Sequence, residues 1–327
     1  MKRTNGKRRL LFTGGGGAAT EAWYRLLSRQ FDVHFADADG DARPHPVPSR
    51  RWHVIPLASD AAFIDEMRRT CRSLNVDLLV PTVDEELIPI AAARERFDCA
   101  VLLPPVRFVE RHLDKLASQQ WLAEHGLPAA DTEVLPGRGR VACPCVVKPR
   151  RGRGSRDFRI VQSDEEMRAH VLLSHRPPED FIAQERLDGQ EFTVTVAADR
   201  NGRLRAVVPV RVAVKRGITI RARTVRDEAV IAACAAIHAA DPVAGCFNVQ
   251  AVKTAGGAVK PFEINPRFST TTCLAAAAGA NQIEILFDVS QHSAEPGLVP
   301  FVEHLHLRRS WHSTFVRSFS HRKVRPG

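Results

Sequence analysis

Over the first hundred residues, short apolar runs alternate with amphipathic stretches. Leu10-Leu11-Phe12, Val33-His34-Phe35-Ala36, Asp77-Leu78-Leu79-Val80 and Ala100-Val101-Leu102-Leu103 each have the length and composition of a buried strand. Between them, residues 18–30, 61–74 and 85–97 place apolar side chains at helical spacing. Strand and helix in regular alternation predict a three-layer, Rossmann-like α/β domain over residues 1–112.

Near residue 112 the pattern changes. A helix over 114–124 runs into the stop Gly126-Leu127-Pro128, and strand Cys145-Val146-Val147-Lys148 leads into a basic loop from Arg150 to Arg156. Strands follow near 158–161, 181–186, 191–197, 204–214, 217–224, 246–253 and 259–264, with helices at about 164–174, 227–239 and 270–279. Strands that follow one another predict an antiparallel α+β domain over 113–300, leaving 301–327 as a C-terminal tail.

A chain of 327 residues has room for two cores. It has no run of 18 uncharged apolar residues, so no membrane span is expected. The basic start is followed by only four apolar residues, too few for a signal peptide. Seven cysteines without regular spacing fit a reducing, cytoplasmic compartment, and Cys143-Pro144-Cys145 is one residue short of a redox or zinc pair. The net charge of +10 raises the question of a polyanion. Its positive residues are dispersed, and one Tyr and four Trp make a poor stacking platform, which argues against nucleic acid. Nucleotide phosphates and a solvated surface account for the charge instead.

Three segments carry chemistry. In Phe247-Asn248-Val249-Gln250 and Pro261-Phe262-Glu263-Ile264-Asn265-Pro266-Arg267, a hairpin brings Gln250, Glu263 and Asn265 to one side. Their oxygens suit Mg²⁺, and Arg267 projects along the same face toward a phosphoryl group. The plain alternative is an edge hairpin with solvated polar residues. Lys148, at the end of a buried strand, points with the basic glycine loop toward phosphate, although the loop lacks P-loop spacing; a solvated loop is the alternative. Around the turn at Asp188-Gly189, the segment Gln184 to Phe192 offers backbone groups to an adenine edge and Glu191 to ribose hydroxyls.

Lys148-Pro149, Gln184 to Glu191, Asn248-Val249-Gln250 and Phe262 to Arg267 fall in the order and rough spacing of the ATP-grasp superfamily. The chain resembles most the branch like one synthetase half of the carbamoyl phosphate synthase large subunit. Asp114-Lys115 is similar to the start of that family's grasp domain, and Thr82 to Glu86 resembles a segment of the domain before it. The resemblance spans about residues 8–290 and implies a lid at about 140–187. It further implies ATP with Mg²⁺ or Mn²⁺ as cofactors. Lys115 and Lys148 would hold the nucleotide and its phosphates, Gln184, Glu185 and the Leu187 backbone would lie at adenine, and Glu191 would meet the ribose. Gln250, Glu263 and Asn265 would ligate the metal, while Arg267 and Lys215 would act at the transferred phosphoryl group. The activity implied is an ADP-forming ligase in which a small carboxylate becomes an acyl phosphate and an amine or ammonia displaces the phosphate. Two departures bear on the substrate: the Arg-rich loop, and Ser269-Thr270-Thr271 where Ser-Gly-Gly is expected. The neutral Gln250 suits the carbamoyl phosphate synthase branch.

Competing readings remain open at this point. Gly14-x-Gly16-x-x-Ala19 with Asp37 matches a dinucleotide fingerprint and an NAD-dependent oxidoreductase, but leaves residues 145–270 unexplained. A non-catalytic ATP-binding regulator is countered by the presence of Glu263, Asn265 and Arg267. Asp84, Glu85 and Glu86 either face an amine or form an acidic first turn favoured by the helix dipole. Arg221 and Arg223 either recognise the carboxylate substrate or are exposed strand charges. A homodimer is left open.

Overall fold

Strand β1 (Arg9–Phe12) is buried on both faces, as expected of the central strand of a parallel sheet. In the computed structural model, which describes residues 6–137, 139–154, 156–287, 297–311 and 313, it is flanked by β2 (Asp32–Asp37), β3 (Trp52–Val54), β4 (Leu78–Val80) and β5 (Ala100–Val101) in the order β3-β2-β1-β4-β5. All four pairings are parallel. Alternation along β1 divides the core: Leu10 and Phe12 join Trp23 and Leu27 of helix α1 (Thr20–Leu27). Leu11 joins Met67 of α2 (Phe63–Leu74) and Leu87 and Ile90 of α3 (Asp84–Ala92). The expected α/β unit is therefore present. Its fourth expected strand shrinks to two residues, and α1 is shorter than 18–30 because the glycine turn runs on to residue 19.

Two elements here were not expected from the sequence. β3 is a three-residue, half-exposed edge strand, and α4 (Val106–Leu113) begins directly after Pro105. Asp114 then caps α5 (Lys115–Glu124), accepting from the backbone N–H groups of Leu116 and Ala117 at 3.1 and 3.3 Å.

The remaining strands form two sheets. β6 (Thr132–Val134), β7 (Cys145–Pro149), β8 (Arg159–Val161) and β9 (Phe181–Glu185) make an antiparallel four-stranded sheet in the order β6-β9-β7-β8, covered by α6 (Asp164–Leu173). β10 (Gln190–Ala198), β11 (Leu204–Arg216), β12 (Ile218–Thr224), β13 (Gly245–Lys253), β14 (Val259–Asn265) and β15 (His306–Arg308) make a six-stranded sheet in the order β14-β13-β10-β11-β12-β15. Every pairing in it is antiparallel. Helix α7 (Glu228–Ala240) packs on one face through Val230, Cys234 and Ile237. The other face, with α8 (Thr272–Ala277) and α9 (Gln282–Phe287), shares a core with β1 and α1, where the Phe268 ring packs tilted against Trp23 with centroids 4.4 Å apart. The parallel sheet and the six-stranded sheet are thus joined by continuous apolar packing. Residues 306–308 of the expected tail form β15; residues 312 and 314–327 of that tail lie outside the described residues.

Candidate active site

The three sheets enclose a cleft of about 1130 Å³. One wall is the rim where the parallel strands end, the usual place for a ligand in an open α/β sheet. The other walls are β7 and β9 and the hairpin β13–β14.

On the hairpin, Asn248 pairs with Asn265 and Gln250 with Glu263, so these side chains share a face. Just beyond, the register slips: Ala251 opposes Pro261 and Phe262 is left over. Pro261 has no N–H to give the ladder, so a bulge here costs little. The bulged Phe262 becomes a platform. Its carbonyl accepts from Lys148 Nζ at 3.3 Å and Gln184 Nε2 at 3.5 Å, and its ring lies 5.3 Å from Lys148 Nζ and 5.6 Å from Lys215 Nζ.

Four cations line this end of the cleft: Lys115, Lys148, Lys215 and Arg267. Lys148 is buried at the end of β7, and burial pulls its ammonium down to about 8; the nearby Glu263 carboxylate opposes the shift, while Lys115 and Lys215 add to it. Lys115 Nζ reaches the Gly152 carbonyl of the basic loop at 2.8 Å. The base of that loop is held by Arg150 on Asp114 at 2.7 Å. Lys215 Nζ sits between Glu191 Oε1 at 2.6 Å and Gln250 Oε1 at 2.9 Å. Arg267 is held by Asp84 from the first helix turn of α3, with Asn265 Oδ1 3.5 Å from its other nitrogen.

Not every residue singled out in the sequence lies free in the cleft. The Glu185 carboxylate accepts from Lys260 at 2.6 Å and from the Asp131 N–H at 2.9 Å. Gln184 is buried and donates to Thr132 at 2.9 Å. Leu187 lines the cleft from the connection between β9 and β10. Arg221 and Arg223 do not line it: they lie opposite Arg308 and His306 on β15, at the far edge of the sheet. Of the two readings left open for them by the sequence, this placement favours strand charges. Asn248, quoted in the sequence only as part of a motif, has a defined role. Its Nδ2 donates to the Arg267 carbonyl at 2.7 Å, and its Oδ1 accepts from Thr195 and Thr272 at 3.2 and 3.3 Å. No local pattern signals this role, because the two threonines lie 53 and 24 residues away in the chain.

The glycine turn after β1 is explained by packing. A Cβ on Gly14 would meet Thr82 and Val83 at 2.7 Å, one on Gly15 would meet Trp52, and one on Gly16 would meet Ala42. Asp37, the fingerprint's ribose acid, is engaged within the turn itself, accepting from Gly16 N–H at 2.8 Å and Asp39 N–H at 3.0 Å.

Residues 177–311 match the family model described as "ATP-grasp in the biosynthetic pathway with Ter operon". A D-alanine–D-alanine ligase of Corynebacterium aurimucosum is 30% identical over 108 residues, which are 31% of this chain and 30% of that enzyme. The alignment thus spans less than a third of the curated relative. Among solved structures, N5-carboxyaminoimidazole synthetase from Staphylococcus aureus complexed with ADP superposes with a TM-score of 0.68 at 13% identity, covering 90% of this chain and 80% of that one. L-amino acid ligase from Bacillus licheniformis gives a TM-score of 0.64 at 19% identity, covering 91% and 76%. At such identities the shared shape speaks for the fold, and the family match and the hairpin with its lysines speak for the family. Residues 177–311 thus match an ATP-grasp family, and the chain shares its fold with these solved structures.

Proposed function

We propose that the protein is an ATP-dependent, ADP-forming ligase that joins a small-molecule carboxylate to an amine or ammonia through an acyl phosphate. The observation that carries this reading is the convergence of Lys115, Lys148, Lys215 and Arg267 with the oxygens of Gln250, Glu263 and Asn265 on one end of one cleft. Phosphoryl transfer needs positioning and charge compensation more than covalent help, and this end of the cleft supplies both.

The donor set fits a hard divalent cation. Glu263 contributes a carboxylate, and Gln250 and Asn265 amide oxygens on the same face. A single carboxylate suits Mg²⁺ or Mn²⁺ that completes its shell with phosphate oxygens and water. When bound, the ion neutralises charge on the phosphates. The residues do the rest. Lys148 and Lys115 hold phosphate oxygens, Lys215 bridges the ribose side at Glu191 to the metal side at Gln250, and Arg267 faces the phosphoryl group as it moves. Because the Glu185 side chain is tied to Lys260 and Asp131, recognition of adenine falls to the backbone at Leu187 and the neighbouring connection. Gln250 as a neutral ligand favours the branch like carbamoyl phosphate synthase. Seven unpaired cysteines, and the lack among the described residues of a helix long and apolar enough to cross a membrane, accord with a cytoplasmic enzyme of small molecules.

The test is turnover. With MgATP, a panel of amino acids and other small carboxylates, and hydroxylamine as a trapping nucleophile, the protein is expected to release ADP and form a hydroxamate with at least one acid. MgATP binding without ADP release in any mixture would instead mark a non-catalytic nucleotide sensor.

A further inference from the structure

The carboxylates around the rim of the parallel sheet are not equivalent. Asp37 is engaged by the backbone of its own turn. Asp84 holds Arg267, and Glu85 meets Arg153 at 3.1 Å. Glu86 differs. It is only 6% exposed, lines the cleft, and takes one hydrogen bond from the Thr13 hydroxyl, which in turn accepts from the Thr82 N–H at 3.1 Å. Its Oε2 is buried and has no hydrogen-bond partner. A buried carboxylate oxygen without a donor is costly, and such a cost persists where function uses it.

The charges around it define what fits. Lys115, Lys148, Lys215 and Arg267 sit at the hairpin end. At the Glu86 end the facing groups are Thr13 from the glycine turn, Asp37 from the end of β2, Glu85 from its own helix, and Arg153 from the basic loop, already paired with Glu85. The cleft is therefore polarised, cationic where phosphates are expected and anionic at the other end. A phosphate or carboxylate would be repelled at Glu86; an N–H donor carrying positive charge would be drawn in.

We propose that the Glu86 carboxylate is the docking point for the ammonium group of the second substrate, and that it takes the proton that turns this ammonium into the nucleophile. The inference rests on the ligase reading above and gives that reading a substrate class: an amine that arrives as a cation. One proton passes from the ammonium to Glu86, leaving a neutral amine and a neutral carboxyl. The nitrogen lone pair then attacks the acyl phosphate carbonyl. The C–N bond forms, the C–O bond to phosphorus breaks, and phosphate departs with that electron pair and the second nitrogen proton. Burial, helped by Asp37 and Glu85 and opposed by the Thr13 bond and Arg153, lifts the Glu86 carboxyl to about 7, where it exchanges a proton readily at neutral pH.

Methylammonium chloride is the probe, titrated into the full chain at pH 8 and constant ionic strength and followed through the amide NMR signals of Thr13, Val83 and Glu86. Wild type is expected to show saturable shifts that tetramethylammonium, which has no N–H, does not reproduce. Glu86→Gln is expected to bind at least ~10-fold more weakly, about 1.4 kcal/mol. Glu86→Asp, which keeps the charge, falls between, while Glu85→Gln stays within about twofold of wild type. Equal affinity in wild type and Glu86→Gln, or no saturable shift in wild type, overturns the proposal. MgATP is titrated into the same samples. If it fails to bind, the ligase reading fails, and the methylammonium result still decides the Glu86 site by itself.

Discussion

Arg267 reaches back to Asp84, 183 residues earlier in the chain, and both side chains are mostly buried where they meet. The contact ties the hairpin that carries the proposed metal ligands to the first turn of the helix that carries Glu86. It also fixes the guanidinium that faces the phosphoryl group. Asp84→Asn leaves that guanidinium buried without its counter-charge, at an expected cost of ~3–5 kcal/mol. Turnover is expected to fall ~10–100-fold as Arg267 loses its orientation. Denaturant midpoints and ADP release measure the two effects. The double variant Asp84→Asn/Arg267→Met should be less destabilised than the two single changes added together.

Lys148 stores a cost that the nucleotide relieves. Its folded value of about 8 lies below the 10.5 of an unperturbed lysine, so between those values the unfolded chain binds more protons than the folded one. Stability therefore rises with pH across that window, and the burial cost is fully present below pH 8. Lys148→Met should raise the melting temperature of the ligand-free protein at pH 7, with the gain vanishing above pH 10.5. The same change should weaken MgATP by ~100-fold, two steps of 1.4 kcal/mol. A melting series with pH and a calorimetric titration check the pair.

Glu86 runs the opposite way. Its folded value of about 7 lies above the 4.5 of an unperturbed glutamate, so the folded chain holds the extra proton between them and loses stability as pH rises through that range. Glu86→Gln should be more stable than wild type at pH 8 and no different at pH 4. Amine-dependent turnover in wild type should fall below pH 7 with the slope of a single proton, and Glu86→Gln should lack that limb. A limb that survives in the variant would assign it elsewhere.

Glu263 separates metal from nucleotide. Glu263→Gln keeps the hairpin's shape but removes the one carboxylate of the donor set. Affinity for MgATP should fall at least ~10-fold, while affinity for ATP in the presence of a chelator changes by much less. Equal losses under both conditions would mean that Glu263 acts on the nucleotide directly.

How far the sequence carried these conclusions depended on whether a feature was local. The hairpin was legible because Glu263 and Asn265 are two apart on a strand, and the observed register places Gln250 opposite Glu263. Lys148 was legible as a charge ending an apolar run. β3 was not, because three half-exposed residues beginning with Trp52 carry no usable period. Neither was α4, whose expected boundary fell at 112 because Asp114 caps the next helix and masks the one before it. Contacts over long separations were out of reach: the sequence grouped Asp84, Glu85 and Glu86 as one acidic turn. Only the folded chain gives them three different partners, Arg267, Arg153 and Thr13. Likewise, nothing in Gln184-Glu185 announces that Lys260 claims the Glu185 carboxylate.

Arg309, just past β15, donates to the carbonyls of Ala18 at 2.8 Å and Thr219 at 3.0 Å, and to that of Thr270. One guanidinium thus rivets the glycine turn, β12 and the segment before α8 to a single point. Mechanically, the parallel sheet and the six-stranded sheet form one jaw, because swinging one away from the other would break the Arg309–Ala18 bond and open the apolar core they share. Whatever room a triphosphate needs to enter must come from the other jaw, the four-stranded sheet with its basic loop. Its ties across the cleft include the side chains of Lys115, Lys148, Arg153 and Lys260, the first three of which face the space a nucleotide would fill.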